Sequence, residues 1–270
     1  MCDECTDSSN RELLVLCIRW IDHGNLEPQE YVIGMYQIDD ISAHTIVSVI
    51  RDILVRMTFS LSRCRGQCCD GAANMKGGNT GVAKQLLDEE PRALYTYCYG
   101  HALNLAVGHA VKHCKEMKDA LDTTYEFSEL VKYSPKRDTA LQKLKDSLAP
   151  DTPGFRTLRS TRWTVRADSL KSAIDNYCVL QEVWKMSKEY VSDSAIKGRI
   201  IGVQIQFKTF RNLFGVCFAQ LIRRHSDNLS KTLQSPKPSA AEGQRIALMT
   251  VATLHVLRDD TQFDLFWKSF

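Results

Sequence analysis

Near its start the chain carries two short apolar bursts, "ELLVLCIRW" at 12–20 and "EYVIGMYQI" at 30–38. Their length and their β-branched and aromatic content are those of strands. The intervening "IDHGNLEPQ" holds Gly24, Asn25 and Pro28, which predicts a hairpin. The hydrophobic period then lengthens from strand-like to helix-like. Ile46, Val49, Ile50, Ile53, Leu54 and Met57 fall on one face of a helix that Ser42 can cap. A short strand over 64–69 ends at Asp70, a helix covers 79–89, "ALYTYC" (93–98) is a further strand, and a helix runs from Gly100 to about His113. Past residue 115 the strand pattern disappears. Helical patterns cover 115–133, 137–148, 165–191, 197–225 and 240–257, broken by Pro150, Pro153 and Gly154 and again by "SPKPSAAEG".

A first strand is also expected at the very start, cut short and ending at Asp3. Three antiparallel strands followed by helix, strand, helix, strand, helix is the order of an RNase H-like domain. The predicted class is therefore α/β: an RNase H-like mixed sheet flanked by helices, then an all-helical insertion region. The expected divisions are a core over 1–131, a basic helical segment over 132–164, and part of a helical domain over 165–270.

Composition changes this picture in two places. The net charge is only +3, yet residues 132–166 hold nine Lys or Arg against three Asp. Such a local excess can bind phosphate, although a solvated charged face looks the same in sequence. Ten cysteines come without a signal peptide or a long apolar run, so the thiols are expected to be reduced and no membrane is expected. Cys2, Cys5, Cys17, Cys114, Cys178 and Cys217 read as small core residues, and Trp20, Trp184 and Trp267 as core tryptophans.

The chemistry gathers around "CRGQCCDGAANMKGGNTG" (64–81), where Asp70 stands between a strand and a glycine-rich loop. In the expected topology the first and fourth strands are neighbours, so Asp3 and Asp70 can share divalent metal ions, with Asp7 as an alternative to Asp3. Mg²⁺ or Mn²⁺ held this way suits phosphodiester chemistry. Cys64, Cys68, Cys98 and His101 form a rival zinc set, but the chain lacks paired Cys-x-x-Cys knuckles, and zinc is not expected. Trp163, flanked by Arg159, Arg162 and Arg166, offers a stacking face among cations, against the plainer reading of a buried tryptophan with solvated arginines.

Five segments, "CDECTDSSNRELLVLCIRW", "CRGQCCDGAANMKG", "YTYCYGHALNLAV", "SPKRD" and "TRWTVRADSL", resemble hAT-superfamily transposases in order and spacing, most of all the domesticated branch named for zinc finger MYM-type protein 1-like sequences. The likeness covers about residues 2–235. It implies that Asp3 and Asp70 are catalytic metal ligands, that Cys98 supports the site with His101 near a DNA phosphate, and that Arg162 and Trp163 serve the DNA end. The family usually has Tyr where this chain has Cys69. Its third catalytic residue, a glutamate beyond a long helical insertion, has no counterpart here.

The expected function is thus a transposase remnant, truncated at both ends, without cleavage activity, that binds DNA or a related transposase-like protein in the nucleus, with the cytoplasm as second choice. No small-molecule substrate is expected. The alternatives are a metal-dependent nuclease or transposase needing a partner or a further segment, and an incomplete gene model without independent function.

Overall fold

The computed structural model describes residues 1–7, 9–158, 166–235 and 239–269. Its backbone clusters into two units that divide at 103/104, the first built on Met1–Leu103 and the second on Asn104–Leu233 with the C-terminal helices.

In the first unit, β1 (Cys2–Thr6), β2 (Glu12–Ile21) and β3 (Pro28–Gln37) form an antiparallel meander. β1 pairs with β2 from Cys2 opposite Leu16 to Thr6 opposite Glu12. A bulge at Leu16/Cys17 interrupts the β2–β3 register. β4 (Gly66–Cys69) and β5 (Leu94–Tyr97) form a separate parallel ladder, Cys68 opposite Thr96. One mixed sheet was expected; instead β1 and β4 touch without a shared ladder. Strands of five and four residues offer few ladder bonds, and side chains do the joining: Cys2 packs on the same core that holds Cys69. The expectation that Asp3 ends its strand also changes, since it is the second residue of β1.

Helix α1 (Ala43–Arg56) starts at Ser42, whose hydroxyl accepts a hydrogen bond from the Thr45 N–H, and buries Ile46, Val47, Ile50 and Ile53 against Leu14 and Leu16 of β2. Between β4 and β5 come α2 (Ala73–Lys76), which buries Met75, and α3 (Val82–Glu89), which buries Val82, Ala83 and Leu86. Helix α4 (Tyr99–Lys112) follows β5 directly.

The second unit is helical: α5 (Lys115–Lys132), α6 (Pro135–Leu148), α7 (Arg166–Asp175), α8 (Tyr177–Tyr190), α9 (Ser194–Phe207), α10 (Phe210–Leu233), α11 (Ala240–Val256) and α12 (Asp260–Ser269). Two long helical patterns are each divided, at Asn176 and at Lys208–Thr209, where the chain turns within an unbroken apolar pattern. Phe127 packs edge-on to Phe207 and Trp184, with ring centroids 5.1 and 6.1 Å away.

Four expected core residues lie elsewhere. Trp20 stacks on Tyr31 at the far end of the hairpin and is 43% exposed, while Trp267 is 50% exposed. Cys5 and Cys178 are exposed too, because each falls on the outward side of its element. Only Trp184 among these tryptophans is fully buried.

Candidate functional site

Asp70 leaves the end of β4 and opens a tight turn. Its Oδ1 accepts a hydrogen bond of 3.0 Å from the Ala72 N–H, and its carbonyl accepts one of 3.2 Å from the Tyr95 hydroxyl. The next residue must be small. A Cβ on Gly71 would lie 2.8 Å from the Tyr97 ring, which covers the turn. The same ring stands edge-on to His101 (6.2 Å) and 5.4 Å from the Lys76 ammonium. The "DGA" triplet thus reads as a carboxylate, a seat for an aromatic ring, and the start of α2.

Asp3 meets this rim from β1. Partial loss of water raises its carboxyl above the usual carboxylate range; the hydrogen bond from the Glu4 N–H (3.1 Å) works the other way, the charge of Asp70 raises it further, and His101 opposes. The charge of Asp70 therefore registers at Asp3. Among the described residues no Lys or Arg forms an ion pair with either carboxylate.

Asp7, the alternative, is engaged differently. It is tied to Ser9 and Arg11, accepting from the Ser9 and Arg11 N–H groups at 2.8 and 2.9 Å and pairing with the Arg11 guanidinium at 2.8 Å. Those bonds hold its carboxyl below the usual range.

Two residues escaped the sequence reading. Glu4 accepts a hydrogen bond of 2.8 Å from the Asn74 amide, which also donates to the Ile41 carbonyl at 2.8 Å. Asn74 thereby ties α2 to β1 and to the segment before α1. Burial raises the Glu4 carboxyl, Asn74 lowers it, and Asp70 and Asp3 raise it. Strand alternation around Asp3 could have drawn attention to Glu4; nothing in the sequence singles out Asn74.

The cysteines group in part. Cys68 on β4 stands opposite Thr96, two residues before Cys98, which follows β5 and precedes α4. The Cys98 N–H donates to the Cys69 carbonyl at 3.1 Å. Cys64 is turned away, its thiol on the Gly66 carbonyl at 3.3 Å. The Cys64–Cys68–Cys98–His101 set is therefore not assembled, and no three His, Cys, Asp or Glu side chains gather for a metal among the described residues. Cys69 is buried, and its thiol is pushed up to about 12 by desolvation.

Of the expected DNA-contacting residues, Arg159, Arg162 and Trp163 lie outside the described residues. Arg166 begins α7 in the second unit, half-buried near Arg223 and Asp227. Asp227 accepts a hydrogen bond of 2.8 Å from the Ala167 N–H. The described residues of the basic segment, 132–158 and 166, do not make one exposed face either. Arg137 is buried with its Nε on the Leu130 carbonyl at 2.7 Å, and Lys136 sits 3.8 Å over the Tyr190 ring.

Comparison with known proteins adds a family to this geometry. Residues 1–81 match the RNase-like domain of the ZMYM1/FAM200 group. That match spans both Asp3 and Asp70. A mouse protein, the "52 kDa repressor of the inhibitor of the protein kinase" from Mus musculus, is 23% identical over 177 residues, which is 64% of this chain. The chain spans 23% of that protein's length. Together these likenesses support a transposase-derived family for the chain, with a mixed α/β RNase-like region followed by helices.

Proposed function

We propose that this chain is a domesticated, transposase-derived module of hAT type. Its RNase-like region would hold a divalent cation weakly between Asp3 and Asp70 and bind nucleic acid in the nucleus without cutting it. The supporting observation is the pair of carboxylates at the rim where β1 and β4 touch, Asp3 raised in part by the charge of Asp70 and neither paired with Lys or Arg among the described residues. Mutual repulsion of that kind is what Mg²⁺ or Mn²⁺ relieves, and oxygen donors suit either ion. The cation would supply charge stabilisation at a phosphodiester. Two carboxylates position a cation poorly, because Glu4 is held by Asn74 and no third group joins them among the described residues. Loss of one member of a catalytic group typically lowers rates by several orders of magnitude.

Binding of a labelled DNA duplex, measured against salt, tests the nucleic-acid part. The logarithm of affinity should fall linearly with the logarithm of salt concentration; affinity indifferent to salt would remove phosphate contact. Incubation of the same duplex with Mn²⁺ tests the rest. Intact DNA is the expected result, and cleavage that disappears in Asp70→Ala would replace this reading with that of an active nuclease. The name of the mouse relative, a repressor, fits a nuclear setting, which imaging of the tagged chain would check.

A further inference from the structure

His109 stands in the last turn of α4 and His113 just past it, both in the second unit and neither given a role so far. Four positions separate them, so they share one side of the helix. Their ring centroids lie 4.4 Å apart, the planes tilted by 43°, and both residues are exposed. The His113 Nδ1 is 2.8 Å from the His109 carbonyl oxygen. A carbonyl only accepts, so this Nδ1 carries a proton, and the lone pair of the neutral ring is on Nε2. A metal-ligating histidine is held in the same way: one ring nitrogen donates to a backbone carbonyl and the other is left to coordinate.

We propose that His109 and His113 chelate a divalent transition-metal ion of the Zn²⁺ or Ni²⁺ type. Two imidazole nitrogens bound to one such ion stand about 3 Å apart. Rings whose centroids are 4.4 Å apart reach that separation by small side-chain rotations. Imidazole selects Zn²⁺, Ni²⁺ and Cu²⁺, whereas Mg²⁺ and Ca²⁺ prefer oxygen. The pair therefore differs in kind from Asp3 and Asp70, and the proposal stands independently of the cation reading made for those carboxylates.

The surroundings set the character of the site. The C-terminal end of a helix favours a cation. Lys112, exposed between the two histidines, opposes it, and water screens that repulsion. His109 also borders a cavity of about 600 Å³ with Asn104, Gly108, Lys112 and Arg166. That space admits the waters which complete the shell of an ion with two protein ligands. No third His, Cys, Asp or Glu joins them among the described residues, so the ion exchanges readily. The same spacing binds zinc in the His-Glu-x-x-His helices of metalloproteases. Here Ala110 replaces the glutamate that serves those enzymes as general base, so the pair binds metal without the base that hydrolysis needs.

Protection from diethyl pyrocarbonate during a Zn²⁺ titration, read histidine by histidine through peptide mapping, tests the proposal. Exposed His23, His44 and His255 serve as single-imidazole references. They meet the same free metal in the same sample, so Zn²⁺ taken up by thiols affects all five alike. His109 and His113 should become protected together, at Zn²⁺ concentrations at least about tenfold below those that protect the references, because the second ligand binds intramolecularly. In His113→Ala, protection of His109 should fall back to the reference level, and in His109→Ala that of His113 should do the same. Mg²⁺ in place of Zn²⁺ should protect neither. A pair protected no better than the references overturns the assignment, as does protection of His109 that survives in a folded His113→Ala variant or that Mg²⁺ supplies equally. If neither variant folds, the comparison with the reference histidines in the unmodified protein still decides.

Discussion

In the helical unit Asp227 is buried beside Arg223 and Arg166 and takes a 2.8 Å hydrogen bond from the Ala167 N–H. In the sheet unit Asp3 and Asp70 stand at an accessible rim, near each other and near His101, with no guanidinium or ammonium paired to either among the described residues. The same side chain thus does opposite things. Asp227 offsets cations that burial makes unfavourable; Arg223 is lowered to about 10 by that burial and by Arg166. The rim carboxylates form no ion pair among the described residues. A charge kept unpaired at a rim is open to something from outside the fold, whereas a charge matched inside a helical core marks architecture.

Substitution at the two kinds of aspartate separates them most sharply. Asp227→Ala strands the buried Arg223 guanidinium and is expected to destabilise the helical unit by about 3–5 kcal/mol. Asp70→Asn keeps the hydrogen bond to Ala72 and removes a repulsive charge, so stability should change by less than about 1 kcal/mol. Denaturant titration combined with hydrogen exchange on peptides from each unit reads both. Equal losses would mean that Asp70 is as structural as Asp227.

Glycines sharpen the contrast at a smaller scale. Gly215 of α10 lies against the backbone of α5, where an added Cβ would run into the Glu116 carbonyl. Backbone cannot step aside cheaply, and Gly215→Ala is expected to cost about 2–3 kcal/mol. At Gly71 the obstacle is the Tyr97 ring, a side chain that can turn, so Gly71→Ala should cost about 1 kcal/mol. Moving Tyr97 also disturbs its contacts with His101 and Lys76. Hydrogen exchange in the first turn of α4 would report that disturbance, and an unchanged α4 with a full 3 kcal/mol loss would place the strain in the backbone instead.

How much of this was legible follows from where the physics is local. The hairpin, the Ser42 cap and the Asp70 turn are set by neighbours in sequence, and all three are where the residues placed them. Trp20 and Trp267 were misread because apolar patterning fixes a face, not whether that face is covered. The two helix divisions were missed because Asn176 and Thr209 interrupt no apolar pattern. The role of Asn74 depends on residues 70 and 33 positions away, which a single sequence does not pair. Asp7 was separable from Asp3 only once the Arg11 side chain was seen to bind its carboxylate.

The gentlest test works through pH. Because desolvation and Asp70 raise the Asp3 carboxyl, the folded state holds that proton more tightly than the unfolded chain does. The associated stability is fully present below the ordinary aspartate value of about 3.9 and is lost as pH rises through the raised folded value. Asp3→Asn removes this dependence, leaving that of Glu4, which runs in the same direction. The variant should therefore gain on the unmodified protein as pH climbs from about 4 to about 6, by only a fraction of a kcal/mol because Asp3 keeps access to water. Mn²⁺ at the upper end of that range should reverse the order, stabilising the protein that retains both carboxylates and leaving the variant unmoved. Urea titrations at three pH values measure the first effect, and the same titrations with Mn²⁺ measure the second. A variant that loses ground as pH rises would mean that the Asp3 carboxylate is stabilised by its surroundings, and a rim that already satisfies its own charge has no call on a cation.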